Sequence, residues 1–90
     1  IAARGNHAFV ANGWGTALHV VDVSDPEAPA IVAQVPANGA FGHPFDVALI
    51  DNFALTAERG DGLGIIDISN PQAPARVTNF KLPGSLANSV

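Results

Sequence analysis

The sequence contains no cysteine. That removes disulfide staples and thiolate-held metals from consideration, and it fits both reducing compartments and many exported bacterial proteins. Positive charge is scarce too, with four Lys and Arg against eight Asp and Glu and a net charge of −4. Neutralising a phosphate backbone takes a basic stripe, so nucleic acid is not an expected partner. No apolar run approaches the ~18 residues of a membrane-spanning helix. The opening stretch IAARGNHAFVA has neither the charged start nor the long apolar centre of a signal peptide, so any targeting segment is expected to lie outside this chain. With no methionine at its start, the chain reads as a fragment. What it has in quantity is apolar side chains, 48% of residues against 13% charged, a balance that favours a packed fold over disorder.

The apolar residues are written twice. VVDVSDPEAPA, from Val20 to Ala30, returns as IIDISNPQAPA from Ile65 to Ala75, so that Asp22, Ser24, Pro26 and Pro29 align with Asp67, Ser69, Pro71 and Pro74 at an offset of 45. Ala8 and Ala11 align with Ala54 and Ala57 at an offset of 46, and one residue of loop length reconciles the two offsets. A fixed period of this length is the mark of a structural repeat. The units are expected at residues 1–46 and 47–90, with Ser89 and Val90 opening a third.

Within each unit, four short apolar segments are separated by Gly, Asn, Asp and Pro, the spacing of strands joined by tight turns. The first unit predicts strands at Ile1–Arg4, His7–Ala11, Ala17–Val23 and Ala30–Val35. The second predicts them at Phe45–Ile50, Phe53–Ala57, Leu63–Ile68 and Ala75–Phe80. The third segments, LHVVDV and LGIIDI, are β-branched and apolar almost throughout, as expected of strands covered on both faces. Asp25-Pro26 and Asn70-Pro71 supply turns after them, and Pro29 and Pro74 admit the fourth strands where a missing N–H matters least. Four antiparallel strands per ~40–45 residues is one blade of a β-propeller. The fold class is therefore all-β, two four-stranded antiparallel blades belonging to a larger or self-assembled propeller.

The pattern A-[FL]-x-A followed by L-x-[VI]-[VI]-D-[VI]-S-[DN]-P-x-x-P resembles the LVIVD-repeat propellers of bacteria and archaea. It is carried by Leu18, Val20, Val21, Asp22, Val23, Ser24, Asp25, Pro26 and Pro29, and again by Leu63, Ile65, Ile66, Asp67, Ile68, Ser69, Asn70, Pro71 and Pro74. The resemblance implies a surface, secreted or periplasmic propeller with no common reaction. Closing a propeller takes ~4–8 blades. Two blades packed face to face leave their outer faces open, so further blades are the expected partners, from the same chain, another segment or identical copies.

Candidates for chemistry are few. Asp22 and Asp67 interrupt apolar strands, and a buried carboxylate there must be hydrogen-bonded; their recurrence favours a structural role at the turn, shared with Pro26, Pro29, Pro71 and Pro74. The loops expected at a channel mouth are NGWGT (12–16), PANGAFGHPFD (36–46), ERGDG (58–62) and LPGSLANS (82–89). Trp14, the single tryptophan, would anchor a partner if exposed or seal the packing if covered. His43 and Asp46 could contribute one sector of a metal or acid–base site, although one His and one Asp do not make one. Arg59 and Asp61 lie in an Arg-Gly-Asp triplet that a tight turn explains equally well. Glu58, Asp61 and Asp51 lack the spacing of a calcium loop. His7 and His19 occupy unrelated positions of the repeat. No nucleophile elbow, zinc-binding helix motif or phosphate loop occurs, and no cofactor is expected. The leading expectation is a non-catalytic scaffold or recognition surface. The alternatives are a fragment of a propeller enzyme or metal protein and a two-blade unit that closes its own ring.

Overall fold

The computed structural model describes residues 1–11, 18–36, 46–58 and 62–80. They form eight strands: β1 (Ala2–Arg4), β2 (His7–Ala11), β3 (Leu18–Asp22), β4 (Ala30–Val35), β5 (Asp46–Ile50), β6 (Phe53–Ala57), β7 (Leu63–Asp67) and β8 (Ala75–Phe80). The first four make one sheet and the last four another, each in sequential order and antiparallel throughout. Each sheet thus has the form of a propeller blade. No helix occurs among the described residues. The third strands end one residue earlier than expected, at Asp22 and Asp67, because these side chains bind the backbone two residues on and turn the chain. Ala17 and Phe45, expected at strand starts, lie outside the described residues.

The two sheets repeat in detail. Both first hairpins have a two-residue turn whose first residue takes a positive φ, Gly5 at 58° and Asp51 at 49°, the left-handed region that Gly and Asp tolerate and that right-twisted hairpins demand. The turn is tied to the third strand in both units, Val23 N–H to the Asn6 carbonyl and Ile68 N–H to the Asn52 carbonyl, each at 2.8 Å. Between third and fourth strands the register slips once. Val20 faces Ala33 while Val21 faces Ile31, and Ile65 faces Thr78 while Ile66 faces Arg76, so that Val32 and Val77 are the extra residues of two bulges. A bulge at the same place bends and twists both outer strands alike.

Strand alternation and register sort every side chain to a face. In the first sheet, Ala2, Phe9, Val20 and Ala33 line up across the strands, followed by Ala11, Leu18 and Val35. In the second sheet, Val47, Leu49, Ala54 and Ile66 share one face. These two faces meet, with Phe9, Leu18, Val20, Val35, Val47, Ala54, Ile66 and Ile68 buried in one apolar cluster and β5 lying against β1 and β2. At the rim, Nη1 of Arg4 donates to the Asp51 carbonyl. The third strands, apolar on both sides, are covered here on one side only.

The repeat makes the packing head to tail. Phe9, Leu18, Val20 and Val35 of the first sheet correspond in sequence to Leu55, Leu63, Ile65 and Phe80, which lie on the face of the second sheet turned away from the core. Val47, Ala54 and Ile66 correspond to Ile1, Ala8 and Val21, the last two on the open face of the first sheet. One face type therefore meets the other, as in a heterologous contact.

A shared core predicts shared unfolding. Phe9→Ala should cost about 3–5 kcal/mol, the usual loss for emptying a buried aromatic site. Amide exchange in β6 and β7 should accelerate together with that in β2 and β3, because neither sheet retains its covered face alone. Exchange confined to the first sheet would show two independent units instead.

Candidate functional site

Of the residues singled out as possible ligands, Trp14, His43, Arg59 and Asp61 lie outside the described residues. Asp46 opens β5, where its Oδ1 accepts the N–H of Val47 at 2.9 Å. Glu58 and Asp51 do not share a calcium loop. Asp51 precedes β6 and Glu58 follows it, placing them at opposite ends of a five-residue strand. Among the described residues no group of three or more His, Asp or Glu side chains is placed to hold a metal.

Asp22 and Asp67 behave as a pair. Each accepts the backbone N–H of the serine two residues on at 2.8 Å. They are half-buried at strand ends, not in the apolar interior that their sequence neighbours suggested, because the chain turns away at these residues. Hydrogen bonds from the Ser24 backbone and then its side chain hold the Asp22 carboxyl below its ordinary value, with a smaller contribution from His7 across the β2–β3 register. The Ser69 backbone and side chain do the same for Asp67. The next motif positions continue the turn. Oδ1 of Asp25 accepts Glu27 N–H and the Asp25 carbonyl accepts Ala28 N–H; Asn70 does both for Gln72 and Ala73. An Asp and an Asn are interchangeable here because each offers a side-chain oxygen two residues before an amide. Pro26 and Pro71 occupy the second turn position, which suits their fixed φ, and Pro29 and Pro74 directly precede β4 and β8.

The structure also assembles a polar group that sequence reasoning did not join. Glu58, just beyond β6, is completely buried between the sheets. Its Oε2 accepts from the hydroxyl of Thr56 and from Nη1 of Arg76 on β8, the latter at 2.8 Å. Nη1 of Arg76 also donates to Asn79 Oδ1 at 2.8 Å, and its Nη2 crosses to the first sheet to donate to the Pro36 carbonyl at 2.9 Å. The Glu58 backbone N–H is fixed by the Gly62 carbonyl at 2.7 Å. Gly64 completes the arrangement by having no side chain. A Cβ there would overlap Glu58 Oε2 and Thr56 Oγ1 and come within 2.9 Å of Arg76 Nη1. The other carboxylate oxygen, Oε1, is buried with no hydrogen-bond partner among the described residues. A charge removed from water in this way is tolerated only through its partners. The guanidinium, reaching both the carboxylate and the neighbouring sheet's backbone, ties the two sheets in one register.

Two copies of one sheet, with Asp-capped turns at equal positions, are what the family model of the LVIVD repeat describes, and that model matches residues 1–36 and 41–81. The chain belongs to the LVIVD-repeat family. No curated protein and no solved structure matches it. The two LVIVD repeats differ where they meet. Thr56, Glu58, Gly64 and Arg76 of the second stand where the first has Val10, Asn12, His19 and Ile31. The signal was thus in the sequence, as four of the positions at which the second repeat departs from the first. It was obscured because Glu58 reads as part of a glycine turn, and because Arg76 lies 18 residues further on.

Removing one side of the ion pair should be costly and removing both much less so. Arg76→Met is expected to destabilise by about 3–5 kcal/mol, the range for leaving a buried charge alone. The double variant Glu58→Leu, Arg76→Met should recover most of that loss in denaturant titrations, and Gly64→Ala should be as damaging as Arg76→Met. Purely additive single and double variants would show that the pair is not coupled. Acid should expose the turn carboxylates. Because folding lowers the pKa of Asp22 and Asp67, the unfolded chain binds more protons in acid. Their stabilisation is complete above the ordinary value of 3.8 and is lost as pH falls below it through the folded values. The variant Asp22→Asn, Asp67→Asn should therefore have a flatter acid limb in its unfolding midpoint than the parent; an unchanged slope would assign the acid sensitivity elsewhere.

Proposed function

We propose that this chain works without catalysis, as a scaffold or recognition segment of a larger β-propeller. The observation that carries the reading is the equal fate of the repeated carboxylate. Asp22 and Asp67 are each bound to the serine amide of their own turn at 2.8 Å. Their chemistry is spent on shaping the blade, twice over, and a reactive centre has no use for two copies of itself in neighbouring blades. Glu58, buried between the sheets, is likewise bound to Arg76 and Thr56 through its Oε2.

On this reading, recognition falls to the loops around residues 12–16, 36–46, 58–62 and 82–89. Trp14, His43, Asp46, Arg59 and Asp61 would be the contact groups for a protein or ligand. Membership of the LVIVD family supports a propeller setting, with further blades of the repeat as neighbours. A place at the cell surface, outside the cell or in the periplasm rests on the same family likeness.

Calorimetric titration of the 90-residue chain with zinc, calcium and manganese tests the reading. No saturable heat is expected with any of the three. Stoichiometric binding that disappears in His43→Ala and Asp46→Ala would replace it with a metal site at the loop end of the blades.

A further inference from the structure

Each open face of the pair is the sequence counterpart of a face that is already covered. On the second sheet, Leu55, Leu63, Ile65 and Phe80 repeat the covered Phe9, Leu18, Val20 and Val35. The open face is also the more apolar of the two. Ile50 and Phe53 stand where the covered face has Arg4 and His7, and Phe80, 58% exposed, stands where Val35 is only 5% exposed. On the first sheet, the open face repeats the covering one with its polar group replaced. Val10, His19 and Ile31 take the places of Thr56, Gly64 and Arg76. Ile31 is 57% exposed.

The existing joint indicates where these side chains would go. Arg76 reaches the carbonyl of Pro36, directly after Val35. In a second joint of the same geometry, the position of Arg76 is filled by Ile31 and that of Val35 by Phe80. Two large apolar side chains, both more than half exposed in the isolated pair, then fall on one spot. We propose that a second copy of this chain docks head to tail on the first, its Ile31 face against the Phe80 face. The inference rests on the propeller reading above. It adds that the new joint has Ile31 where the internal joint has the guanidinium of Arg76, so the cation that pins the internal joint has no counterpart there. Apolar contact is not screened by salt, unlike an assembly driven by charge.

Both contact residues are exposed, so changing them leaves the core between the sheets intact. The experiment measures mass by light scattering after size exclusion, for the 90-residue chain and for Ile31→Asp and Phe80→Asp. The parent should exceed one chain mass and keep that mass between low and high salt. Each variant has one face blocked by a carboxylate that cannot be buried unpaired, which should weaken association by roughly a hundredfold or more and leave single chains. An equimolar mixture of the variants should give a species of two chains, one of each kind, because each retains the face the other has lost. The mixture also shows that both variants are folded.

A parent that stays at one chain mass would overturn the proposal. So would an assembly that survives either substitution, or variants that do not combine when mixed. None of these results touches the non-catalytic reading, which fails only on saturable metal binding in the titration above.

Discussion

A four-stranded sheet has two faces, and two such sheets packed together can cover only two of the four. That constraint governs the molecule. No helix occurs among the described residues, and the third strands are apolar on both sides, so the pair itself uses only part of the energy available from burial. The solution is to make the two faces of every sheet different in shape and complementary to each other. Phe9, Leu18, Val20 and Val35 project from one type of face into Val47, Ala54, Ile66 and Ile68 of the other. Once the faces are unlike, stacking has a direction, and the same interface can be used again without limit or until a circle closes.

The motif that names the family is the device that keeps those faces in phase. A strand that slipped by one residue would move its whole apolar set to the wrong side. Asp22 and Asp67 stop the third strand at a fixed residue, Asp25 and Asn70 close the following turn, and the proline before the fourth strand sets where pairing resumes. The bulges at Val32 and Val77 then shift the register by one within the strand pair. Without matching turns the bulge would put Ala33 and Val35 on the outside. The polar letters of the repeat therefore act on the packing through register, not through contact with the core.

This explains what the sequence made legible. Most strand limits could be read because turns carry their own chemistry, with Gly, Asn, Asp and Pro at set distances written twice, although the third strands stop one residue sooner than expected, at Asp22 and Asp67. The covered face could not be read. LHVVDV and LGIIDI offer apolar residues to both sides, so alternation, the usual guide to which side is buried, is silent there. The group around Glu58 was hidden for a different reason. It depends on side chains from β6, the residue that follows it and β8, on the bare backbone of Gly64 in β7 and on a carbonyl from the other sheet, and no local pattern links Thr56, Glu58, Gly64 and Arg76. Their departure from the first repeat was visible, but only the fold shows that the departures touch one another. Four of the suspected ligands, Trp14, His43, Arg59 and Asp61, fall outside the described residues.

A joint that is purely apolar tolerates many partners of similar shape, since burial has no direction of its own. A buried carboxylate does not. Glu58 can be left between the sheets only if the sheet that covers it presents no competing bulk and lets Arg76 stay in place, and Arg76 in turn needs an acceptor at the edge of that sheet, which the Pro36 carbonyl supplies. Placing such a group costs stability that a well-packed apolar residue would not, and its return is selectivity against the wrong neighbour. The first sheet has Ile31 in the corresponding place and makes no such demand. Within one chain of near-identical repeats, then, the second blade is specific about what covers it and the first is permissive. That difference lets a repeat protein keep a defined internal pair while leaving its outer faces open to any blade with the right apolar profile.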